Sequence, residues 1–236
     1  MSLVAAGRAA LLGAALAILA VVLVAAAFAM HVLPVSPPAA KPPSTVALAL
    51  VLPAADGANA PRVIDVYVET PSGWTVRSVS PTTPADIPGT SASTLADAYS
   101  FGGGNGLAAA LGANPGIPVD AWVVVNEAAW LQLHGHNALS IELPTDVEVF
   151  DGSQLYSYSE STTPVPAEEL PQLLEGAAYL SAGGDESVRE QVGDAVAKAL
   201  EDAGGTGVAG VATSMPPAAL QEWLAKVSSA KRIPGT

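Results

Sequence analysis

Three short motifs in this chain carry residue types that could do chemistry. The glycine-rich segment 102–106 precedes an apolar, helix-forming stretch, and the first backbone N–H groups of a helix can bind an anion. A phosphate-binding P-loop would end in Gly-Lys-Ser or Gly-Lys-Thr, whereas Leu107 and Ala108 follow here. We therefore predict a flexible turn into a helix, with anion binding as the alternative.

The second and third motifs are a histidine pair and a small-residue loop. His134 and His136 flank one glycine and could present two imidazoles to a metal ion, with Glu127 or Asp146 as a third ligand. Two loop histidines without a metal are the simpler interpretation. The segment 90–93 (Thr-Ser-Ala-Ser) lacks the Gly-x-Ser-x-Gly pattern of a nucleophile elbow, so we expect no serine hydrolase triad.

Charge and composition exclude several classes of function. The 236 residues contain no cysteine and carry a net charge of −13, and beyond residue 55 the chain has 7 basic and 22 acidic residues. A nucleic-acid partner requires a basic surface, so we expect none. Without cysteine, disulfides, zinc–thiolate sites and thiol nucleophiles are impossible.

An uncharged apolar run extends from residue 9 to residue 30. Its 22 residues would form a helix about 33 Å long, enough to cross a bilayer core of roughly 30 Å. We predict a retained, single-pass anchor in the cell membrane. A cleaved signal peptide is the first alternative, because Ala27-Phe28-Ala29 fits a small-x-small cleavage pattern. A buried helix of a soluble protein is the second.

This anchor divides the chain into four predicted parts. Residues 1–8, with Arg8, form a cytoplasmic N terminus. Residues 9–33 form the transmembrane helix that contacts the membrane, and the proline-rich residues 34–44 form a spacer. Residues 45–236 then form an extracytoplasmic domain.

Strand and helix patterns alternate along that domain. Apolar and β-branched runs predict strands at 45–52, 63–69, 74–79, 121–125, 138–143 and 147–150. Helical patterns and caps predict helices at 94–98, 106–111, 127–133, 167–180, 185–203 and 216–227. This order predicts an α/β domain with a central mixed sheet flanked by helices.

Three sequence blocks in a fixed order resemble one known family. They are Asp86-Ile87-Pro88-Gly89, Ala98-Tyr99-Ser100-Phe101-Gly102-Gly103, and the segment 116–126 (GIPVDAWVVVN). Their order and spacing resemble the LytR–CpsA–Psr (LCP) family, membrane-anchored envelope proteins that move a polyprenyl-pyrophosphate-linked polymer onto the cell wall. The resemblance covers roughly residues 47–200 and implies an LCP-like fold.

The resemblance also implies site residues. Asp65 stands near the start of a strand, where the family has an aspartate that helps to hold a divalent metal. Arg189 and Gln191 lie in a segment similar to the family's Arg-x-x-Arg-Gln-Gln helix. The resemblance therefore implies Arg189 as a catalytic candidate, Asp65 as a metal ligand, and Asp65, Arg189 and Gln191 as ligand-binding residues.

Most other charged positions of the family pattern are absent. The block 78–83 occupies the place of Ser-Ile-Pro-Arg-Asp-Thr, so that Pro81 replaces the arginine and Thr82 the aspartate. Two further arginines are matched by Glu160 and Thr162, and the first arginine of the helix is matched by Glu186. If the resemblance holds, Asp65, Pro81, Glu160 and Arg189 should converge on one cleft.

The missing charged residues determine which function we expect. Residues 78–188 contain 14 acids and no lysine or arginine, yet a pyrophosphate site normally needs cations at close range. One charge pair at 4 Å is worth about 4 kcal/mol at an effective dielectric near 20, so reversed signs weaken binding strongly. We expect a non-catalytic binding or scaffold module in envelope-polymer assembly, without a cofactor.

Two alternatives stay open. The first is an active phosphotransferase that uses a polyprenyl-pyrophosphate donor, with Mg²⁺ carrying the charge and Asp65 and Arg189 as remnants of the site. The second is an unrelated exported α/β domain. The expected partners are a polyprenyl-pyrophosphate lipid or other envelope proteins.

Overall fold

The computed structural model of the chain describes residues 42–233 except 54–56, 88–89, 92, 136, 182, 205–207 and 228. The predicted cytoplasmic segment 1–8, the predicted anchor 9–33 and nearly all of the predicted spacer lie outside the described residues. Within the described part, every helix is too short or too polar to cross a membrane.

A six-stranded mixed sheet forms the centre of the domain. Its strands are β1 (Thr45–Pro53), β2 (Asn59–Thr70), β3 (Gly73–Ser78), β4 (Ala121–Asn126), β9 (Val211–Thr213) and β10 (Lys231–Arg232). The strand order is β10-β3-β2-β1-β4-β9. The β1–β2, β2–β3 and β4–β9 pairs are antiparallel, whereas β1–β4 and β3–β10 are parallel. The predicted central mixed sheet is confirmed.

The central strand β1 is buried on both faces. Val46, Leu48 and Leu50 pack into one apolar layer, and the alternating residues Ala47 and Ala49 pack into the layer on the opposite face. A strand covered on both sides needs apolar side chains at every position. This explains why the sequence shows a continuous apolar run here.

Five α-helices accompany the sheet in the described part of the chain: α1 (Leu95–Ala113), α2 (Glu127–His134), α3 (Leu170–Ala177), α4 (Gly184–Asp202) and α5 (Pro217–Val227). Helix α1 packs against one face of the sheet, and α4 and α5 pack against the other. The predicted apolar stripe of α4 is buried there, through Val188, Val192, Val196 and Leu200. The helices therefore flank the sheet as predicted.

Four short strands form two antiparallel pairs beside the central sheet. β5 (Ala138–Leu143) pairs with β8 (Ser161–Pro166), and β6 (Val147–Phe150) pairs with β7 (Leu155–Tyr158). The sequence pattern does not predict β8, because its two prolines argue against a strand. The predicted helix at 167–180 is shorter than expected: a 3₁₀ turn, Ala167–Glu169, precedes α3, which ends at Ala177.

The glycine-rich segment 102–106 contains a kink at Gly103 that divides α1 into two helical parts, in agreement with the predicted turn into a helix. The helix begins at Leu95, and Thr94 and Asp97 form a capping box at its N-terminus. This agrees with the helix start predicted at residue 94. Gly103 interrupts α1 with a φ of 56°, a conformation that glycine adopts readily.

A close aromatic contact explains one of these glycines. A Cβ atom at Gly104 would overlap the indole ring of Trp122. The ring is also held by its Nε1–H, which donates to the Asn105 side chain at 2.8 Å. The absence of a side chain at Gly104 therefore allows the Trp122 indole to pack directly against α1.

A pair of glycine substitutions in α1 tests this packing. Gly104→Ala should lower the free energy of unfolding by about 1–2 kcal/mol, because overpacking outweighs the gain in helix propensity. Gly112→Ala, in the same helix with open space around its Cβ position, should raise it by about 0.5–1 kcal/mol. Urea unfolding of both variants measures the difference, and equal effects would contradict the role of Gly104.

Candidate anion-binding site

A cavity of about 330 Å³ lies where the carboxyl end of β3 meets the first turns of α4. Its lining consists of Arg77, Ser78, Val79, Ser80, Thr83, Pro115, Glu186 and Arg189. The lining residues thus include two arginines and three residues with a hydroxyl group. These donors suit the oxygen atoms of a phosphate.

The loop after β3 forms one wall of the cavity. Its backbone makes a turn in which the Thr83 N–H donates to the Ser80 carbonyl at 2.9 Å. The carbonyls of Pro81 and Thr83 accept the N–H groups of Ala96 and Leu95, at 3.0 and 3.1 Å. These bonds satisfy N–H groups of the first turn of α1 that have no partner within the helix. The loop is therefore anchored by the helix it precedes.

Arg189 forms an ion pair through one edge of its guanidinium and also lines the cavity. Its Nη1 donates to the Asp185 carboxylate one turn earlier in α4, at 2.5 Å. The side chain is 13% exposed, and its buried Nε–H has no hydrogen-bond partner among the described residues. Because this Nε–H is fully covered, an anion in the cavity would contact the accessible part of the guanidinium instead.

Glu186 lines the same cavity and would repel an anion there. It lies in the first turn of α4 and is the single acid among the described residues that line the cavity. The lining contains two arginines and one carboxylate, and the ion pair of Arg189 with Asp185 offsets one of the two positive charges.

Asp65 lies directly behind the cavity and does not open into it. The residue is 0% exposed and pairs across β2 and β3 with Ser78, whose hydroxyl donates to Asp65 Oδ1 at 2.5 Å. Burial raises the pKa of the Asp65 carboxyl, and the charge and hydrogen bonds of Arg232, together with the Ser78 hydroxyl, offset part of the rise.

Arg232, on β10, is the cation that accompanies Asp65. Its Nη2 donates to Asp65 Oδ2 at 3.2 Å and to the Glu190 carbonyl at 3.0 Å, and it also pairs with Asp194. Its Nη1 donates to the Ser78 hydroxyl at 2.9 Å. Burial lowers the pKa of Arg232, but the two carboxylates outweigh it and raise the pKa above its ordinary value. Arg232 therefore stays charged.

The structure brings together some of the residues singled out in the sequence. Arg189 lines the cavity, Asp65 is linked to it through Ser78, and Pro81 lies in the loop between two lining residues. Glu160 lies elsewhere: it is exposed, and its backbone N–H donates to Asp146. Of the four positions expected to converge on one cleft, only Arg189 lines the cavity, so the expected convergence is not observed.

Gln191 lies outside the cavity lining. Its amide oxygen accepts the Glu142 N–H at 2.7 Å, and its amide nitrogen donates to the Glu142 carbonyl at 3.0 Å. Both ends of the side chain thus join α4 to β5. The ligand-binding role implied for Gln191 stays a prediction.

Two functional residues, Arg77 and Arg232, are not identified from the sequence. Arg77 directly precedes the segment 78–188, which has no basic residue. The composition of that segment therefore does not indicate a cation at the site. Arg232 lies in a two-residue strand without a recognisable pattern. Asp65 gives one indirect indication of Arg232. If Asp65 is buried, its carboxylate requires a cationic partner from another part of the chain.

His134, the described residue of the histidine motif, belongs to no metal-binding cluster of described residues. His134 ends α2 and stacks on Trp130, with ring centroids 4.7 Å apart and an interplanar angle of 11°. Burial lowers the pKa of His134. Among the described residues, no cluster of three or more His, Cys, Asp or Glu is arranged to hold a metal ion, and His136 lies outside them.

A second cavity, of about 300 Å³, borders α4 and α5. Its charged lining residues are Asp194, Glu201 and Lys198. Two acids against one base do not suit a phosphate, so the first cavity is the candidate site.

The chain is similar to several solved structures of LCP proteins. The LytR-Csp2A-Psr enzyme from Actinomyces oris matches with a TM-score of 0.59 and 16% identity, over 84% of this chain and 82% of that chain. B. subtilis TagV matches with a TM-score of 0.53 and 13% identity, over 83% and 86%. TagT bound to LI-WTA matches with a TM-score of 0.54 and 12% identity, over 82% and 78%.

The chain therefore has the LCP fold, as the sequence resemblance implied. No protein-family model and no curated protein matches the chain by sequence.

Proposed function

We propose that the chain is an LCP-like module of cell-envelope polymer assembly that binds a polyprenyl-pyrophosphate-linked polymer without transferring it. One observation carries the proposal. Arg77 and Arg189 line one cavity, whereas Asp65 is buried behind it and bonded to Arg232 and Ser78. The cavity thus has the donors for binding a phosphate but lacks the carboxylate that the family resemblance assigns to metal binding.

Local charge supports phosphate binding in spite of the acidic domain. Arg guanidinium groups recognise phosphate oxygens through paired N–H donors. The many acids elsewhere act through solvent, where salt screens charges beyond about 8–10 Å. The two arginines at the cavity therefore outweigh the net charge of the domain for a ligand that reaches them.

The same lining gives little support for transfer chemistry. In a transfer, an acceptor hydroxyl attacks phosphorus, the phosphate–phosphate linkage breaks, polyprenyl phosphate leaves, and the hydroxyl proton passes to a base. Such a step needs a base and strong stabilisation of developing charge. Pro81 supplies neither, and the Thr82 hydroxyl is bonded to that of Ser80 at 2.8 Å. Glu186 is the carboxylate among the described lining residues, and its charge would repel the phosphate.

The second candidate is an active phosphotransferase. The position of Arg189 in the cavity lining favours it, since a guanidinium there would bind a phosphate oxygen in a ground state or in a transition state. The solved structure of TagT bound to LI-WTA shows that the fold can accommodate that ligand in TagT. In this alternative Arg189 is the catalytic residue.

The proposal includes the location of the domain. The apolar run within residues 9–33 would anchor the chain in the cell membrane by a single span, and residues 34–44 would extend the domain from the surface. The cavity would then face the envelope, where a lipid-linked polymer is presented.

A combined binding and transfer assay tests the proposal. The full chain, in a nonionic detergent, is mixed with a polyprenyl-pyrophosphate-linked polymer and peptidoglycan, and both bound donor and released polyprenyl phosphate are measured. We expect bound donor and no release above the heat-inactivated control. Release that depends on Arg189 would instead support the phosphotransferase, and absence of binding would contradict both candidates.

A further inference from the structure

The Arg232 guanidinium lies in a shell made of oxygen atoms. Its donors contact both carboxylate oxygens of Asp65, the hydroxyl of Ser78, the carbonyl of Glu190 and the carboxylate of Asp194. Carboxylate, hydroxyl and carbonyl oxygens are also the ligands that hard divalent cations prefer. The shell therefore has the chemistry of a divalent-cation site, with an arginine at its centre.

The surroundings of Asp65 do not fit the magnesium ion that the family resemblance implies. Asp65 Oδ1 accepts the Ser78 hydroxyl, and Asp65 Oδ2 accepts Arg232 Nη2. Gly193 of α4 lies so close to Oδ2 that even a Cβ atom would overlap it. A divalent cation at Asp65 would have to displace the guanidinium or lie beside its positive charge, which is unfavourable.

We propose that Arg232 is the built-in cation of this site, which makes the site independent of metal, and that the shell binds a divalent cation only when Arg232 is removed. The proposal rests on the contacts of Arg232. It is independent of whether the neighbouring cavity binds a polymer donor.

Backbone pairing gives Arg232 an advantage over a free ion. β10 is parallel to β3, with Lys231 opposite Thr75 and Arg232 opposite Val76, and the Ile233 N–H donates to the Val76 carbonyl at 2.9 Å. The guanidinium is thus tethered beside its oxygen ligands, so its local concentration far exceeds that of a free ion. Its planar fork also matches two carboxylates.

Manganese binding to the full chain tests the proposal. Mn²⁺ is titrated by calorimetry and by electron paramagnetic resonance into the wild type, Arg232→Ala, Asp65→Asn/Arg232→Ala and Lys231→Ala. Lys231 is the matched control, because it is an exposed cation on the same strand. We expect Arg232→Ala to bind one Mn²⁺ at least tenfold more tightly than the wild type, and the double variant to lose this gain. Lys231→Ala should behave like the wild type.

Thermal unfolding supplies a second readout in case Arg232→Ala is unstable. At a concentration 100-fold above its dissociation constant, Mn²⁺ should raise the Tm of this variant by about 5 °C. Three outcomes would overturn the proposal. They are Asp65-dependent Mn²⁺ binding by the wild type, a folded Arg232→Ala without a gain in binding, and an Arg232→Ala that stays unfolded with or without Mn²⁺.

Discussion

Replacing Arg232 by methionine should lower the free energy of unfolding by about 3–5 kcal/mol at pH 7. Asp65 is fully buried, and Arg232 is its cationic partner at 3.2 Å. Methionine keeps much of the apolar stem of the side chain but removes the charge and donors, so the carboxylate would stay buried without compensation. Urea unfolding followed by circular dichroism measures the loss.

The loss should depend on pH in a defined direction. Burial raises the pKa of Asp65, and without Arg232 the rise is no longer offset. The folded variant then binds the carboxyl proton more tightly than the unfolded chain does, so stability falls as pH rises through the folded-state pKa. The variant should approach the wild type near pH 4 and differ from it most at pH 7.

Two control variants separate the buried charge from local packing. Asp65→Asn/Arg232→Met should recover much of the lost stability, because neither partner then carries a charge. Lys231→Met should change stability by less than about 0.5 kcal/mol, since this side chain is exposed. A loss in the double variant equal to that in Arg232→Met would show that packing, and not the buried carboxylate, accounts for the effect.

The double variant Arg77→Met/Arg189→Met should bind a short-chain polyprenyl pyrophosphate at least about 100-fold more weakly than the wild type. A hydrogen bond to a charged group contributes about 1.5–3 kcal/mol, which is about a 10- to 150-fold effect for each arginine. Both residues line the cavity, so each single variant should also lose affinity. Calorimetry measures the dissociation constants.

Variants on the same helix give the matched controls. Lys198→Met removes a positive charge from an exposed position of α4, outside this cavity, and should change the affinity less than about threefold. Glu186→Gln removes the opposing charge from the lining and should raise the affinity several-fold. An unchanged affinity in both arginine variants would exclude this cavity as the site.

The sequence predicts the long elements of the fold because their patterns are strong. β1 and β2 are apolar or β-branched along most of their length, and α4 repeats its apolar residues at helical spacing from Val188 to Leu200. Burial of these side chains is the main force that selects the element. Of the blocks that resemble the LCP family, only the segment 121–126 is a buried strand, β4, so the resemblance adds information that these patterns do not contain.

Elements that tertiary contacts define could not be predicted. β9 and β10 have three and two residues, too few to show a period. The fit of Trp122 against Gly104 depends on a strand that follows later in the chain.

The candidate site was predictable only in part. Asp65 and Arg189 follow from the family resemblance, whereas Arg232 pairs with Asp65 across 167 positions of sequence. No local pattern can predict an ion pair at that separation. The role of Arg77 could not be predicted either. It depends on the packing of α4, which places Arg189 at the same cavity.

The central claim is that this cavity binds a polyprenyl pyrophosphate through arginines and without a metal. The most direct measurement is a calorimetric titration of the full chain with a short-chain polyprenyl pyrophosphate, in Mg²⁺ and in EDTA. The account predicts saturable binding with a dissociation constant below about 100 μM and affinities that agree within about threefold in the two conditions. Binding that requires Mg²⁺, or no binding in either condition, would contradict it.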